Sequence, residues 1–488
     1  MITFRPQCTF PQEGPAFVYQ PDIRSTMDII WSSVIIIFLC TWSILHTNVP
    51  CQLRPLPHPQ SRLEYLLRLC ASGWRALKVK AGWMIFTIFV PEYILGAAVD
   101  DFWSSQVITK AIVAFQGEEK HADEIEWTLT HTHYAHIGGV AVKFPPDETN
   151  GAPISGEPLA ADMFLKVFVD RNQRGSRYLG SSDWNVHRHH YSLARNYIIN
   201  SVGLGGRQGR VASNHRTANG ARALCGDFWT LSALQLLEAR KAGIIDKFPS
   251  VTVSEIDDKS KSDNLVKTLA LVQVVWLGIQ LSLRANAGRQ SSQMEVMALA
   301  FAVCAFITYA LLLQRPKDLN TPTVIQAVRS PTEEEFARIV EWSVCLDFAQ
   351  LTPSIPNFAL AFYDPRMESW LHAAGTLGGL FVFGSVHLVA WNFSFPTATE
   401  QLLWRIAAAS IAVTPLLFMA HLVFGQEKAS ASRFGGVVRF IVAIAGWTII
   451  LLFTVSRLFL LVEAFRSTYF LPPSTYVATF AENIPHMG

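Results

Sequence analysis

The stretch "VVRFIVAIAGWTIILLFTVSRLFLLVEAF", residues 437–465, contains three charged residues and is dominated by apolar side chains. A helix that crosses a bilayer needs about 20 predominantly apolar residues. This stretch is longer than one crossing requires. It therefore predicts a membrane-spanning helix that tilts or continues as an interfacial helix.

Six other stretches predict further crossings. Each holds about 20 mainly apolar residues between polar, proline-rich segments. They are 27–45, 81–99, 265–283, 294–313, 370–391 and 402–424. The first is not a cleavable signal peptide, because its apolar region is too long and a long polar segment precedes it. The fold class predicted is all-α, a polytopic transmembrane helical bundle of seven or eight spans.

The composition agrees with a membrane protein. Hydrophobic residues make up 50% of the chain and charged residues only 16%, against about 25% charged residues in soluble proteins. The net charge of +2 gives no reason to expect a nucleic-acid partner. The seven cysteines are scattered and odd in number, which excludes a disulfide scaffold or a zinc ribbon.

Lys and Arg residues predict the orientation, because they concentrate in cytosolic loops. Six of them lie between residues 54 and 80, so we expect that loop in the cytosol and the N-terminus in the lumen. An eighth crossing near 127–143 would also place the basic segment 241–267 in the cytosol. The polarity of this histidine-bearing stretch opposes a lone helix, whereas a shielded helix or a re-entrant hairpin satisfies both constraints.

The hydrophilic segments divide the chain further. Ser232 and Gln235 form a capping-box pattern, and Gly243 is a natural stop, which predicts an amphipathic helix over 233–242. Thr397 and Glu400 form a second capping box. The predicted parts are an N-terminal lumenal segment 1–26, a first membrane part 27–143, a variable and partly disordered loop 144–264, a helical hairpin 265–313, a hydrophilic loop 314–369, a three-span bundle 370–465 and a tail 466–488.

Ionisable groups inside a membrane are costly, so each is a functional candidate. Glu92 follows Pro91, which disrupts the second predicted span and frees a backbone carbonyl. His387 and His421 lie near the ends of the fifth and sixth predicted spans. A neutral buried carboxyl and satisfied packing histidines are the structural alternatives.

The stretch "EWTLTHTHYAHIGG", residues 126–139, places three histidines within six positions. On a helix, Glu126, His133 and His136 share one face and His131 does not, while a strand gathers only His131 and His133. Neither regular structure gathers all three, and the HExxH spacing is absent, so we expect no metal site. A Glu–His pair for acid–base work fits better, because a carboxylate orients an imidazole and raises its basicity.

Five stretches carry a resemblance. "RSTMDIIWSSVIIIFLCTWSILHTNVP", "EWTLTHTHYAHIGG", "VSEIDDKSKSDNLVKTLALVQVVW", "VAWNFSFPTATEQLLWR" and "LFLLVEAFRSTYFLPPSTYVATFAENIPHMG" resemble, in this order, a large family of fungal multi-pass membrane proteins. The resemblance covers nearly the whole chain except residues from about 144 to 220. A histidine is usual at position 131 in that family, whereas His133 and His136 depart from its pattern. The resemblance implies His131 as the best single candidate, and some members accompany specialised-metabolite pathways.

These observations lead to three hypotheses. The first is a membrane-embedded cyclase or isomerase of fungal secondary metabolism, in the endoplasmic reticulum or another endomembrane, acting on a polyketide- or terpenoid-like intermediate without a cofactor. The second is a transporter of the pathway product, and the third is a non-catalytic scaffold for other pathway enzymes. The expected partners are a hydrophobic small molecule, the lipid bilayer and pathway enzymes, and no nucleic acid. The candidate residues are His131, Glu92 and Glu126 for catalysis, and Trp127, Tyr134, Trp276, His387 and Trp391 for substrate binding.

Overall fold

The structure is a computed structural model that describes residues 23–49, 61–119, 124–145, 228–260, 264–329, 370–431 and 435–478, with positions 331, 335 and 339. The predicted N-terminal segment up to residue 22, most of the variable loop, most of 330–369 and the end of the tail lie outside these ranges.

The described residues are mostly helical. The helices are α1 Thr26–Ser43, α2 Arg62–Phe89, α3 Pro91–Glu119, α4 Leu129–His136, α5 Ala233–Lys241, α6 Val253–Lys259, α7 Asn264–Asn286, α8 Gln293–Leu311, α9 Trp370–His387, α10 Ala398–Ala431 and α11 Gly435–Arg466. Short 3₁₀ turns follow α9 and α11, at Leu388–Asn392, Ser467–Phe470 and Pro473–Thr475.

Five of these helices are long and apolar enough to cross a membrane. They correspond to the predicted spans in α1, α8, α9, α10 and α11. The predicted span 265–283 forms the 23-residue helix α7, which is not among the five. The chain is therefore compatible with an integral membrane protein of five candidate spans, or six if a bent helix pair counts as one.

The bent pair is the predicted second span. Lys80–Phe89 of α2 and Pro91–Glu119 meet at 106°. Pro91 has no N–H group and occupies the first position of α3, where a helix does not use that donor. The apolar stretch 81–99 is thus not one straight helix. It joins the end of α2 to the beginning of α3.

Glycines let α3 approach α9 closely. A Cβ on Gly96 would lie 2.7 Å from the carbonyl oxygen of His372, and one on Gly375 would lie 2.9 Å from the Cα of Gly96. Gly379 faces Glu92 in the same way, at 3.1 Å from its Cβ. Over residues 92–99 and 372–379 the two helices therefore run side by side with their backbones nearly touching, as small residues allow in membrane helices.

A small β-sheet corrects the all-α prediction. Its strands are β1 Val140–Lys143, β2 Phe228–Thr230 and β3 Thr323–Gln326. The central strand β1 pairs antiparallel with β2 and parallel with β3. The sheet packs with α4, α5 and α6 around an apolar core that includes Tyr134, Ile137, Leu231, Leu236 and Ile256.

The sheet and α4 also correct the predicted eighth crossing. Residues 127–143 form an eight-residue helix, a turn and a strand. An eight-residue helix is about 12 Å long, far short of the roughly 30 Å of a bilayer core. The histidine stretch is therefore part of a folded layer and not a spanning helix.

The capping predictions are confirmed. Gln235 N donates to Ser232 Oγ and the Gln235 side chain accepts from Ser232 N, at the start of α5. Gly243 ends that helix with φ +66°, a conformation that favours glycine. Thr397 and Glu400 make the same reciprocal bonds before α10. Helix α5 is largely buried against the core.

The described chain divides into two compact units. One contains residues up to 40, 269–303 and from 380 onward, and the other contains 41–268 and 304–379. In the first unit, Arg24 forms an ion pair with Glu295 at 2.6 Å. Arg284 there donates to the carbonyls of Thr475 and Val477. Arg457 stacks on the ring of Phe383 at 3.6 Å from the ring centroid. The second unit contains the sheet and the histidine stretch.

Candidate metal centre

Two histidines of the stretch 126–139 converge on a buried aspartate. His133 and His136 lie three residues apart on α4, so both face the same side, toward α3. Asp101 and Ser105 lie four residues apart on α3 and face them. The side chains of Asp101, His133 and His136 have no exposed surface. Their potential ligand atoms all lie within 4.8 Å of one another.

The contacts that Asp101 and Ser105 make in this cluster have similar lengths. His133 Nδ1 lies 3.2 Å from Asp101 Oδ2, and His136 Nδ1 lies 3.5 Å from Asp101 Oδ1. Ser105 Oγ lies 3.3 Å from His133 Nδ1, 3.1 Å from His136 Nδ1 and 3.4 Å from Asp101 Oδ1. Charge-assisted N–H···O bonds are about 2.7–2.9 Å long. These contacts are longer than that throughout.

The spacing matches the outline of a tetrahedral metal site. Zinc binds imidazole nitrogen and carboxylate oxygen at about 2.0–2.2 Å, which separates tetrahedral ligand atoms by about 3.4 Å. The contacts that Asp101 and Ser105 make with each other and with the two imidazole nitrogens, at 3.1–3.5 Å, fit that separation. The hydroxyl of Ser105 is a weak neutral ligand, so the strong donors are Asp101, His133 and His136.

Arg315 completes the surroundings of Asp101. Its Nη1 donates to Asp101 Oδ2 at 2.8 Å, and its Nη2 lies 3.4 Å from Asn48 Oδ1. Arg315 is almost fully buried. The guanidinium balances the aspartate charge in an apolar interior. It binds Oδ2, whereas Oδ1 faces His136 and Ser105.

Burial keeps the imidazole of His136 neutral. Desolvation lowers its pKa, while the hydrogen bond and the charge of Asp101 act in the opposite direction. A histidine must be deprotonated to bind a metal ion. The centre therefore presents a neutral imidazole to a cation at neutral pH.

His131 lies apart from this cluster and has other partners. Its Nδ1 accepts from the backbone N–H of Thr128 at 3.1 Å, and its Nε2 donates to the carbonyl of Val251 at 2.7 Å. Burial lowers the pKa of His131. Both ring nitrogens are engaged, and the side chain caps α4 and ties it to the segment before α6. These contacts support a structural role.

The two predicted catalytic glutamates are also separate from the cluster. Glu126 precedes α4 and is exposed, so it does not share a helical face with His133 and His136. Glu92 is fully buried on α3, but nine residues before Asp101, which is about 13 Å along a helix. Asp101 therefore occupies the place that the sequence interpretation assigned to Glu126.

The aromatic candidates occupy several environments. Trp127 packs against His131 and Phe248 and donates from Nε1 to Thr132 Oγ1 at 2.8 Å. Tyr134 is buried beside the cluster residues of α4, and its hydroxyl lies 2.8 Å from Thr323 Oγ1. Both are parts of the core around the sheet.

The remaining three candidates belong to the other unit. Trp276 is partly buried on α7. His387 is buried, with Nδ1 2.7 Å from the carbonyl of Phe383 and its ring packed against Trp404. Trp391 is exposed over less than half of its surface, with Arg405 over its ring. The side chain of His421 lies outside the described residues.

Sequence interpretation missed Asp101, Ser105 and Arg315. One local signal was available, namely the spacing of the residues. Asp101 and Ser105 are four positions apart, and His133 and His136 are three positions apart. Each pair therefore shares one face of its helix. The predicted span ended at residue 99, which left Asp101 outside any element. Nothing in the local pattern links Arg315 to either helix.

The fold and the site together define a mostly helical protein that is compatible with a membrane location and carries a buried carboxylate–histidine centre. Residues 2–156 and 177–345 match DUF8562, a family of unknown function, and the chain belongs to that family. All four members of the cluster lie within the matched ranges. No curated protein and no solved structure matches the chain.

Proposed function

We propose that the protein is a membrane-embedded, metal-dependent enzyme that acts on a hydrophobic small molecule. One observation supports this above all: the ligand atoms of two imidazoles and a carboxylate, all buried, lie within 4.8 Å of one another, with the Ser105 hydroxyl at 3.1 Å from His136 Nδ1. This proposal replaces the expectation that no metal is needed. We expect no organic cofactor.

The ligand set favours a catalytic over a purely structural ion. Structural zinc sites use four strong ligands, whereas catalytic sites use three protein ligands and leave one position for water or substrate. Asp101, His133 and His136 are the three strong donors. Ser105 would hold the fourth position only weakly, which would leave that position open to water or a substrate oxygen. His133 Nε2, on the other side of the ring from the cluster, has no hydrogen-bond partner among the described residues.

The charge of the centre indicates the type of substrate. Arg315 balances Asp101, so a divalent cation leaves a net positive charge in a buried site. Such a site stabilises a substrate oxygen on which negative charge develops. The oxygen of a polarised carbonyl group has this property. Among the expected substrates this favours a polyketide-like intermediate, which carries carbonyl groups, and among the expected reactions an isomerisation or a cyclisation that a bound cation would assist by polarising a carbonyl.

The setting of the enzyme follows from the helices and the resemblance. The five candidate spans, α3 of the bent pair and α7 together would make seven crossings. An endomembrane location, such as the endoplasmic reticulum, and a place in fungal specialised metabolism are proposed from the resemblance. Other enzymes of the same pathway are the proposed partners.

Metal analysis of the purified protein tests the centre. The full-length protein is loaded with Zn²⁺ in detergent, desalted and analysed by elemental mass spectrometry. We expect one equivalent in the wild type and a loss of binding in Asp101→Asn, His133→Gln and His136→Gln. Asp100→Asn is the matched control, because Asp100 pairs with Ser104 as Asp101 pairs with Ser105, at 3.4 Å in both cases. Equal metal content in all variants would exclude the site.

Metabolite profiling tests the activity. A gene deletion and a strain with Asp101→Asn should accumulate the same unfinished hydrophobic intermediate, while Asp100→Asn should not. Finished product trapped inside the cells would instead identify a transporter. Normal product in Asp101→Asn, at normal protein level, would show that the centre does no chemistry.

A further inference from the structure

Helix α2 carries an amphipathic pattern that the metal centre does not use. Leu63, Leu66, Cys70, Trp74 and Leu77 follow one another at intervals of three or four residues, so they share one face. In the part of the chain that the structure describes, this face is uncovered: Leu63 is 67% and Trp74 58% exposed. An exposed row of large apolar side chains marks an interaction surface.

Most of the charged residues of this helix are basic. Between residues 62 and 80 it contains five Lys or Arg residues and one acidic residue. At 100° per residue, positions 68 and 75 fall opposite the apolar face, and position 78 falls beside it. Lys78 Nζ lies over the Trp74 ring at 5.3 Å from the centroid, at the boundary between the two faces. Basic and apolar faces with a Trp at the boundary are typical of a helix in a membrane interface.

The bend at Pro91 sets the direction of α2 nearly perpendicular to α3. The first two turns of α3 run beside α9, which is one of the candidate spans. The end of α2 leaves α3 at 106°, close to a right angle. A helix at a right angle to a spanning pair runs along the membrane surface. The whole of α2 is about 42 Å long by helix geometry, too long to be a turn between two crossings.

We propose that α2 is an interfacial helix that binds the anionic leaflet of the membrane, with its apolar face in the acyl region and its basic face on phospholipid headgroups. The excess of Lys and Arg favours anionic lipid over a protein partner of mixed charge, because the cytosolic leaflet carries anionic lipids. The proposal does not depend on the metal centre or on its chemistry.

A fluorophore on Cys70 of the full-length protein tests whether α2 lies in the membrane interface. The other six cysteines are replaced by Ser, and the protein is reconstituted in vesicles of phosphatidylcholine or of an equimolar mixture with phosphatidylserine. We expect the label to be quenched by lipid-borne bromine and shielded from aqueous iodide. We also expect stronger quenching by the brominated lipid in the phosphatidylserine vesicles.

Two variants separate the apolar and electrostatic contributions. Leu63→Asp with Leu66→Asp should expose the label to iodide in both vesicles. Arg68→Gln with Arg75→Gln and Lys78→Gln should abolish the difference between the vesicles. The control is Lys143→Gln with Lys241→Gln and Lys247→Gln, three exposed lysines outside α2, and it should behave as the wild type. Iodide access in the wild type would overturn the interfacial location, and equal quenching in both vesicles would overturn the preference for anionic lipid.

Discussion

His133 Nδ1 lies 3.2 Å from Asp101 Oδ2, although the two residues belong to different helices and 31 residues separate them in the chain. Helix α3 must continue past the apolar segment for Asp101 to lie in a helix at all, and α4 must fold back against it. The contact therefore depends on the arrangement of two helices and a sheet. It is the part of the structure on which the proposed chemistry rests.

Chelation of the metal should destabilise the wild type. A ligand present at about 100 times its Kd stabilises the folded state by about 2.7 kcal/mol, which in a domain of 150–250 residues shifts Tm by about 5–10 °C. We expect a shift of this size when Zn²⁺-loaded protein in detergent is treated with a chelator and its thermal unfolding is followed. Asp100→Asn should respond in the same way. If neither Zn²⁺ nor the chelator changed the Tm of the wild type, the proposed metal centre would be excluded.

Ser105→Cys should strengthen metal binding. A thiolate is a stronger zinc ligand than a hydroxyl, so this change converts the weak fourth ligand into a strong one. We expect a lower Kd for Zn²⁺ and, with Co²⁺ as a spectroscopic replacement, a new thiolate-to-metal absorption band. Because a fourth strong ligand closes the site, product formation should fall while metal content is retained. Ser104→Cys is the control and should show neither effect, since Ser104 lies beside Asp100.

Local features of the fold could be predicted from the sequence, because they depend on neighbouring residues. The capping pairs Ser232–Gln235 and Thr397–Glu400 require only the chemistry of four successive positions. The apolar spans depend on length and composition. The shared face of His133 and His136 follows from the helical period, and the structure confirms it.

The sheet and the cluster could not be predicted in this way. Strands of three and four residues carry almost no periodic signal, and β2 pairs with β1 although 84 residues lie between Lys143 and Phe228. Asp101 becomes buried only because α4 and Arg315 cover it. The apolar composition indicates a membrane protein and so favours a helical prediction for every segment. For this reason the sequence did not predict the three strands.

His131→Ala should lower stability and leave the metal unchanged. The substitution removes the acceptor of the Thr128 N–H and leaves the buried carbonyl of Val251 without its donor. An unsatisfied buried polar group costs about 1–3 kcal/mol. We expect a lower Tm with one equivalent of Zn²⁺ still bound, and product formation in proportion to folded protein. Loss of product at unchanged stability and metal content would instead support the catalytic role that the sequence suggested for His131.

Gly375→Ala should destabilise the protein, whereas Gly378→Ala should not. A Cβ on Gly375 would lie 2.8 Å from Val99 Cβ and 2.9 Å from the Cα of Gly96, so α3 and α9 would have to move apart. Overpacking of this kind costs about 1–3 kcal/mol. Gly378 lies on the same helix with nothing within 4 Å of its Cβ position, and alanine there should be neutral or stabilising by up to about 1 kcal/mol. Thermal unfolding of both variants in the same detergent measures the difference. Equal Tm values would mean that α3 and α9 do not pack through these glycines, and would remove the reason for placing α2 along the membrane surface.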